Sequence, residues 1–446
     1  MRNFTISIFF IFLLLFSSCE QYLDVKPRSN MVVPSTLDDF EQLLNYSTVA
    51  TNSTDLMELQ ADDFYFDTDY WLGTQNQVKK NTYIWAEDIY GTSESNTAWG
   101  LLYSKVFYAN AVLDGLTKLE RTTKNSIRYD QIKGEALFLK AEAIYGLVQL
   151  FSPVYDREMA TRDLGIPIPM TADVNEKMER PTNRYTFDFI VNSLLEAEPL
   201  LKSTADFSRA SKPAANALLA RVYLYMGEYD KAGLHSDYSL RDFNDLVDLN
   251  VVSKRDYQQT LLFRYLGSTN DFYNSIMKTT IMDSVLMQSY VPGDLRERYF
   301  FENIGQSKYV KKDYHGLGVL IFNGFDADEQ YLIRAECYAR AGDKDKALTD
   351  LNHLLEHRFE TDEFVPYTST NKEEVLQWVL EERRKELVFR GLRWSDLKRL
   401  NRDGYAISLQ RNLSGEIYTL PAGDKRWVFP IPPNEIKITG IQQNER

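Results

Sequence analysis

The sequence is poor in the residues that most often carry redox or metal chemistry, because its 446 residues include only two cysteines and four histidines. It also has fewer basic than acidic residues, with 51 Lys and Arg and 64 Asp and Glu, which gives a formal net charge of −13. This balance argues against nucleic acid as a partner and against direct adsorption to anionic lipid. After residue 16, no apolar run approaches the roughly 20 residues that a membrane-spanning helix needs.

The N-terminus has the pattern of a lipoprotein signal peptide. Arg2 is the only charge before Glu20, and residues 4–16 are almost wholly apolar. That run is too short for a membrane span and has the length of a signal-peptide core, which two serines and then Cys19 follow. We therefore expect cleavage before Cys19 and a lipid anchor on this cysteine. The alternative is an ordinary secretory signal with an incidental cysteine.

The rest of the chain has a globular composition with a large aromatic share. It is 44% hydrophobic, 26% charged and 13% aromatic, with 28 Tyr and 25 Phe. Much of this aromatic content must enter a core, but some Tyr remain for a surface that stacks against ligands. If Cys19 carries lipid, Cys337 has no partner and no internal disulfide forms. We interpret Cys337 as a small buried apolar residue of a helix.

Two stretches repeat each other and predict paired helices. Residues 220–232 (ARVYLYMGEYDKA) and 335–347 (AECYARAGDKDKA) share Ala, Tyr, Gly and a final Asp-Lys-Ala in register. This is the tetratricopeptide pattern, in which one helix ends at a glycine turn and a second helix follows. Gly342 can adopt the left-handed conformation that ends the first helix. The sequence therefore predicts an all-α, mostly helical fold with tetratricopeptide helix pairs as its scaffold.

Other segments surround these pairs. Helical patterns cover residues 134–150, 185–201 and 371–400, and the last of them has a predicted break near Gly391. The segment from about 250 to 324 has no clear repeat, and we expect it to be irregular. Function commonly lies on such excursions, because stacked helices are constrained by packing.

Several motifs together resemble the SusD/RagB family, the surface nutrient-binding lipoproteins of Bacteroidetes. The most specific is ERRKELVFRGLRWSDLKR, which departs from the family at Arg390, where Glu is usual before the glycine. The motifs follow the family order over nearly the whole chain and lie at residues 19–27, 99–110, 134–141, 211–223, 382–399, 429–436 and 442–444.

The resemblance implies a role as well as a fold. Such proteins cap a SusC-like TonB-dependent transporter of the outer membrane, and they bind an oligosaccharide, or occasionally another nutrient, at the cell surface. They are not enzymes and use no cofactor. The expected organisation is a signal peptide at 1–18, a tether at 19–35 and one SusD-like domain at 36–446. That domain comprises an N-terminal half at about 36–235, the irregular insert at about 250–324 and a C-terminal half at about 280–446.

The ligand candidates are aromatic residues next to carboxylates. The stretch DDFYFDTDYW ends in Tyr70 and Trp71. Aromatic faces stack on sugar C–H surfaces and carboxylates accept hydroxyl hydrogen bonds, so these two residues are the leading candidates. In the family, ligand-contacting aromatics also come from the insert, which makes Tyr265, Tyr273 and Tyr290 further candidates. We interpret Trp85 and Trp99 as packing residues.

Three other chemical interpretations stay open at this point. His353 and His357 match the H-x-x-E-H pattern of zinc hydrolases, but the apolar stripe of their helix places them on the solvent side, and a third ligand is not evident. The acidic residues near Asp62 could hold calcium, although EF-hand spacing is missing. The mixed charges at 381–386 and 390–399 could form an anion site, but such a run is more typical of an ion-paired helix surface, and the resemblance implies that they lock the C-terminal helices together. A scaffold that binds only proteins is the remaining alternative.

Overall fold

The computed structural model describes residues 34–46, 51–52, 55–203, 209–251, 261–263, 266–267, 280–304, 308–311 and 322–446. Cys19, Tyr265 and Tyr273 lie outside these residues. In the N-terminal half the helices are α1 (Leu37–Leu44), α2 (Asp55–Gln60), α3 (Thr68–Gly73), α4 (Gln77–Tyr83), α5 (Thr97–Leu116), α6 (Ser126–Phe151), α7 (Asn183–Ala197), α8 (Lys212–Met226) and α9 (Tyr229–Asp242). Further along they are α10 (Ser284–Ser289), α11 (Leu295–Phe300), α12 (Ala327–Ala341), α13 (Lys344–Glu356), α14 (Lys372–Glu386), α15 (Arg393–Arg402) and α16 (Pro433–Thr439).

The predicted helix pairs are present as α8–α9 and α12–α13. Gly227 and Gly342 end the first helix of each pair with φ values of 76° and 86°, in the left-handed region that glycine adopts without a Cβ clash. The second helix of the first pair packs against the first helix of the second pair, so the pairs stack. Cys337, on α12, is buried as predicted, and burial raises the pKa of its thiol.

The long helices follow the sequence pattern with shifted ends. The predicted helix at 134–150 extends over Ser126–Phe151. The one predicted at 185–201 ends at Ala197 and continues as a 3₁₀ turn over Glu198–Leu200, because Pro199 has no N–H with which to continue an α-helix. The break near Gly391 is confirmed: α14 ends at Glu386, and Gly391 has a φ of 74°.

Strands are few and short. In the described part of the chain they form two-stranded pairs, of which β1 (Thr51–Asn52) with β4 (Leu266–Gly267) is parallel. The antiparallel pairs are β2 (Phe64–Phe66) with β5 (Thr280–Met282), β3 (Leu261–Phe263) with β8 (Phe325–Asp326), β6 (Phe301–Ile304) with β7 (Lys308–Lys311) and β9 (Leu409–Leu413) with β10 (Glu416–Leu420). Four pairs include a strand from 250–324, so the described strands of this segment are held by backbone hydrogen bonds.

One large hydrophobic core connects the ends of the described chain. It includes Phe40 of α1, the fully buried Trp85, and Ile441 close to the C-terminus. Trp99 is 4% exposed and packs edge-on against Phe151, which confirms that Trp85 and Trp99 are packing residues. Smaller apolar clusters lie between α12, α13 and α14.

The charged C-terminal motif is ion-paired, as predicted, but its charges are buried inside the fold and do not form a helix surface. Glu382, Arg383 and Glu386 are each at most 3% exposed. The predicted ion pairs are present: Arg399 contacts both carboxylate oxygens of Glu336 at 2.6 and 2.9 Å, which joins α15 to the tetratricopeptide helix α12. The partners come from distant segments, so the sequence could not indicate that these charges face inward.

Arg390, the departure from the family motif, is part of this buried network. Its guanidinium Nη1 donates to both carboxylate oxygens of Asp328, at 2.8 and 2.7 Å, and the residue is 2% exposed. The Arg390 guanidinium also lies 4.9 Å from the ring centroid of Phe322. An arginine at this position is therefore accommodated by a carboxylate of α12.

Within the described residues, none of the helices combines the length and the apolar character that crossing a bilayer requires. The signal-peptide pattern and residues 19–33 of the expected tether lie outside the described residues.

Candidate functional site

Trp71 lies on the short helix α3 and is held from several sides. The indole N–H donates to the carbonyl oxygen of Lys80 at 3.2 Å, and the Lys80 ammonium lies 4.7 Å from the ring centroid. On β10, the ring of Tyr418 lies 6.1 Å away, centroid to centroid. Trp71 is therefore 9% exposed and fixed in orientation.

Tyr70 presents more of its surface than Trp71. It is half-buried, with its ring centroid 5.0 Å from that of Phe66. Its hydroxyl has no hydrogen-bond partner among the described residues. Aromatic rings of this kind offer a face for a sugar ring and a hydroxyl for a polar contact.

Tyr290 lies in the core. It is 6% exposed, its hydroxyl donates to the carbonyl oxygen of Lys385 at 2.8 Å, and burial raises the pKa of this hydroxyl. Its ring packs edge-on against Phe301. Of the three described candidates, Tyr290 is thus the least able to stack on a ligand.

Residues 409–420 add a surface that the sequence reasoning missed. We define the Trp71 surface as Tyr70, Trp71 and Leu72 of α3 together with Ile417 and Tyr418 of β10. Leu72 and Ile417 are 53% and 59% exposed. The signal was available in the sequence, because LQRNLSGEIYTL alternates around a Ser-Gly turn, a pattern typical of a β-hairpin.

A polar cavity of about 350 Å³ lies in the same N-terminal region. Its walls include Asn76 at the start of α4 and Ser93, Ser95, Asn96 and Thr97 around the start of α5. The side-chain oxygens of Asn76 and Asn96 cap their helices, accepting from the backbone N–H of Lys79 and Trp99. Hydroxyl and amide groups at fixed positions suit a ligand that is rich in hydroxyls. We call this space the N-terminal cavity.

The acidic stretch that suggested calcium is neutralised by arginines. Arg393 contacts Asp62 at 2.7 Å, and Arg384 contacts Asp63 at 3.0 Å. Burial alone would raise the pKa of Asp62, but the charges of Arg393 and Arg384 outweigh it and lower that pKa. Both carboxylates thus join the N-terminal region to the C-terminal motif, and a calcium ion would have to displace two guanidinium groups.

His353 on α13 and His357 directly after its last residue face outward, as the apolar stripe predicts. His353 is exposed, His357 is half-buried, and His357 Nδ1 lies 2.8 Å from the carbonyl oxygen of His353. Their ring centroids are 5.1 Å apart. Among the described residues, no group of three or more His, Cys, Asp and Glu side chains is arranged to hold a metal ion. The arrangement gives a zinc hydrolase neither a third ligand nor a sheltered pocket in this part of the chain.

Comparison with known proteins extends this picture over most of the chain. A family model described as starch-binding and associating with the outer membrane matches residues 21–224, and the model of the SusD family matches residues 328–445. The SusD-like protein P2 of Formosa agariphila is 23% identical over 371 residues, which cover 68% of this chain and 71% of that protein. A SusD-like protein of Bacteroides ovatus is 27% identical over 145 residues, 32% of this chain and 24% of that protein.

Solved structures share the fold. A SusD superfamily protein of Bacteroides thetaiotaomicron superposes with a TM-score of 0.76 at 23% identity, covering 92% of this chain and 100% of that one. A SusD-like carbohydrate binding protein of Bacteroides vulgatus superposes with a TM-score of 0.70 at 18% identity, covering 91% of this chain and 97% of that one. The two family matches, the stacked helix pairs and this shared fold show that the chain belongs to the SusD/RagB family.

Proposed function

We propose that this protein binds an oligosaccharide at the cell surface and delivers it to a SusC-like TonB-dependent transporter of the outer membrane. The observation that carries the proposal is the pair of family matches at 21–224 and 328–445, the first of which is described as starch-binding and associating with the outer membrane. The role is one of binding and delivery, without catalysis.

The ligand region we favour is the Trp71 surface together with the N-terminal cavity. Half-buried Tyr70 and exposed Leu72 offer apolar faces, while Asn76 and Ser95 offer polar groups in the nearby cavity. Saccharides need both kinds of group, because each ring has apolar C–H faces and a polar rim. The insert reaches this region at β5, which pairs with β2 directly before α3. Tyr265 and Tyr273 stay candidates on this basis.

The anchor and the orientation complete the proposal. A lipid on Cys19 would hold the protein at the outer membrane, and residues 19–35 would serve as the tether that lets the domain close over its transporter. This part rests on the sequence pattern before Cys19 and on the family description.

A glycan-panel binding assay on the chain lacking residues 1–19 tests the binding function. We expect one glycan class to bind, and Tyr70→Ala and Trp71→Ala to weaken that binding at least about tenfold, in line with the loss of an aromatic contact of 0.5–1.5 kcal/mol plus its buried area. Trp378→Ala is the matched control, because Trp378, on α14, is half-buried beside Tyr367 and belongs neither to the Trp71 surface nor to the N-terminal cavity. Equal affinity in all three variants would remove the Trp71 surface from the proposal.

Co-purification from the native membrane under mild detergent tests the partner. We expect a TonB-dependent barrel to accompany the lipidated chain. Recovery of a free lipoprotein that binds no glycan would support instead the scaffold that binds only proteins.

A further inference from the structure

A second cavity, of about 640 Å³, lies at the C-terminal side of the fold. Three parts of the chain form it: the loop at 153–164 after α6, the end of α15, and the C-terminal segment within 423–445. None of its lining residues belongs to the Trp71 surface or to the N-terminal cavity. We call it the C-terminal cavity.

The residues that line this cavity are held in place by packing and hydrogen bonds. Trp427 lines it, stacks on Trp394 with ring centroids 4.6 Å apart, and donates its indole N–H to the carbonyl oxygen of Pro421 at 2.8 Å. Asn444 fastens the chain end, since its amide nitrogen donates to the carbonyl oxygens of Phe151 and Phe429 at 2.9 and 2.8 Å. A space bounded by such fixed groups needs little reorganisation to accept a ligand.

Most charged groups around the cavity already have partners. Asp424 pairs with Arg426, Lys425 with Glu445, and Arg402 with Asp403. Because these pairs satisfy each other, they contribute little net charge to the cavity.

Three titratable side chains are left over, and they carry charges of both signs. Among the described residues, the side chains of Arg162 and Asp163 have no hydrogen-bond or ion-pair partner, and both line the cavity. Lys398 is 3% exposed, and its amino nitrogen donates to the carbonyl oxygens of Gln149 and Ser152, at 3.0 and 2.8 Å. As an ammonium group it has a third N–H, and as a neutral amine it has a lone pair; neither has a partner among the described residues.

We propose that the C-terminal cavity is a second binding site, for a short neutral saccharide. The inference rests on the proposed carbohydrate-binding function. A charged ligand would meet an unpaired group of its own sign, whereas each saccharide hydroxyl both donates and accepts a hydrogen bond. The carboxylate of Asp163 accepts from the ligand and Arg162 donates to it, while Lys398 donates as an ammonium group or accepts from a hydroxyl as a neutral amine. Trp427, Val154 and Met159 supply the apolar contact, and the volume lies within the usual range of small-ligand sites.

Ligand binding at the two sites can be measured separately when the six tryptophans are replaced by 5-fluorotryptophan. The full lipidated chain in detergent is titrated with di- and trisaccharides of glucose, galactose, mannose and xylose, and ¹⁹F NMR follows each ring. Trp71→Phe and Trp427→Phe assign the two signals. We expect one saccharide to shift the Trp427 signal, in the parent chain and equally in Trp71→Phe.

Asp163→Ala should weaken the binding seen at Trp427 at least about tenfold, because a hydrogen bond to a charged group is lost. Glu158→Ala is the control, since Glu158 is exposed on the same loop and does not line the cavity. A titration that shifts the Trp71 signal and leaves Trp427 unchanged would overturn the second site while supporting the proposed function. Shifts at Trp427 that Asp163→Ala does not weaken would also overturn it, and a panel that shifts neither signal would overturn both proposals.

Discussion

Replacing Arg296 by methionine should cost a large part of the stability of this protein. Arg296, on α11, is fully buried and contacts Asp294 at 2.7 Å, Glu382 at 2.6 Å and Glu386 at 3.2 Å. Two of these carboxylates belong to α14, so this one guanidinium joins the irregular segment to the C-terminal motif. Its removal leaves three buried carboxylates with fewer cations to neutralise their charge.

The expected loss is about 3–5 kcal/mol in the free energy of unfolding, the usual result of removing one partner from a buried ion pair. Other cations limit the loss, because Lys385 still contacts Asp294 and Glu382 at 2.9 and 3.0 Å, and Arg358 still contacts Glu386 at 2.8 Å. We therefore expect a value at the lower end of this range. It remains a large share of the roughly 5–15 kcal/mol that stabilises an ordinary domain.

The pH dependence of this loss follows from the carboxylates. Burial would raise the pKa of Asp294, but Arg296 and Lys385 outweigh it and lower the pKa to about 2. In the parent chain the stabilisation from Asp294 is therefore present above its unfolded pKa of about 3.9 and is lost only as the pH falls towards 2. In Arg296→Met the carboxylates can take up a proton instead, so the deficit should be smaller at pH 5 than at pH 7.

Urea denaturation followed by circular dichroism at both pH values measures these differences. Arg298→Met is the matched control: Arg298 is exposed on the same helix, and its guanidinium carbon lies 5.2 Å from the ring centroid of Tyr299, a contact worth about 0.5–1 kcal/mol. If Arg296→Met were as stable as Arg298→Met at pH 7, the buried network would not join these segments in the way we describe.

Two further predictions concern a glycine turn and a buried lysine. Gly342→Ala should lower the free energy of unfolding by about 1 kcal/mol or more, because φ is 86° at this position. Gly100→Ala should raise it by about 0.5–1 kcal/mol, because Gly100 lies within α5 and an added Cβ would meet no neighbouring atom. Thermal melts that show a change of the same sign for both variants would contradict this prediction. Burial lowers the pKa of Lys398 to about 7, below the unfolded value of about 10.4, so the unfolded state binds more protons between these values and stability rises with pH. In urea denaturation, the free energy of unfolding should therefore increase less from pH 7.5 to pH 9.5 in Lys398→Met than in the parent chain. An equal increase in both chains would show that Lys398 is not deprotonated in the folded state.

The sequence by itself determined the helical scaffold. The repeat around Gly227 and Gly342 is a local signal, because the glycine conformation and the apolar stripe of each helix depend on residues a few positions apart. For the same reason, the break near Gly391 and the outward position of His353 were predictable. The ordered motifs indicated the family before any fold was known.

Only the tertiary structure decided which charges and aromatics are free. Arg399 and Asp62 look like surface residues in the sequence, but their partners Glu336 and Arg393 lie 63 and 331 residues away along the chain. Tyr290 and Tyr70 are the same residue type and cannot be distinguished in the sequence, yet Tyr290 is in the core and Tyr70 is half-buried at a surface. Burial and pairing are properties of contacts between distant segments, and no local pattern specifies them.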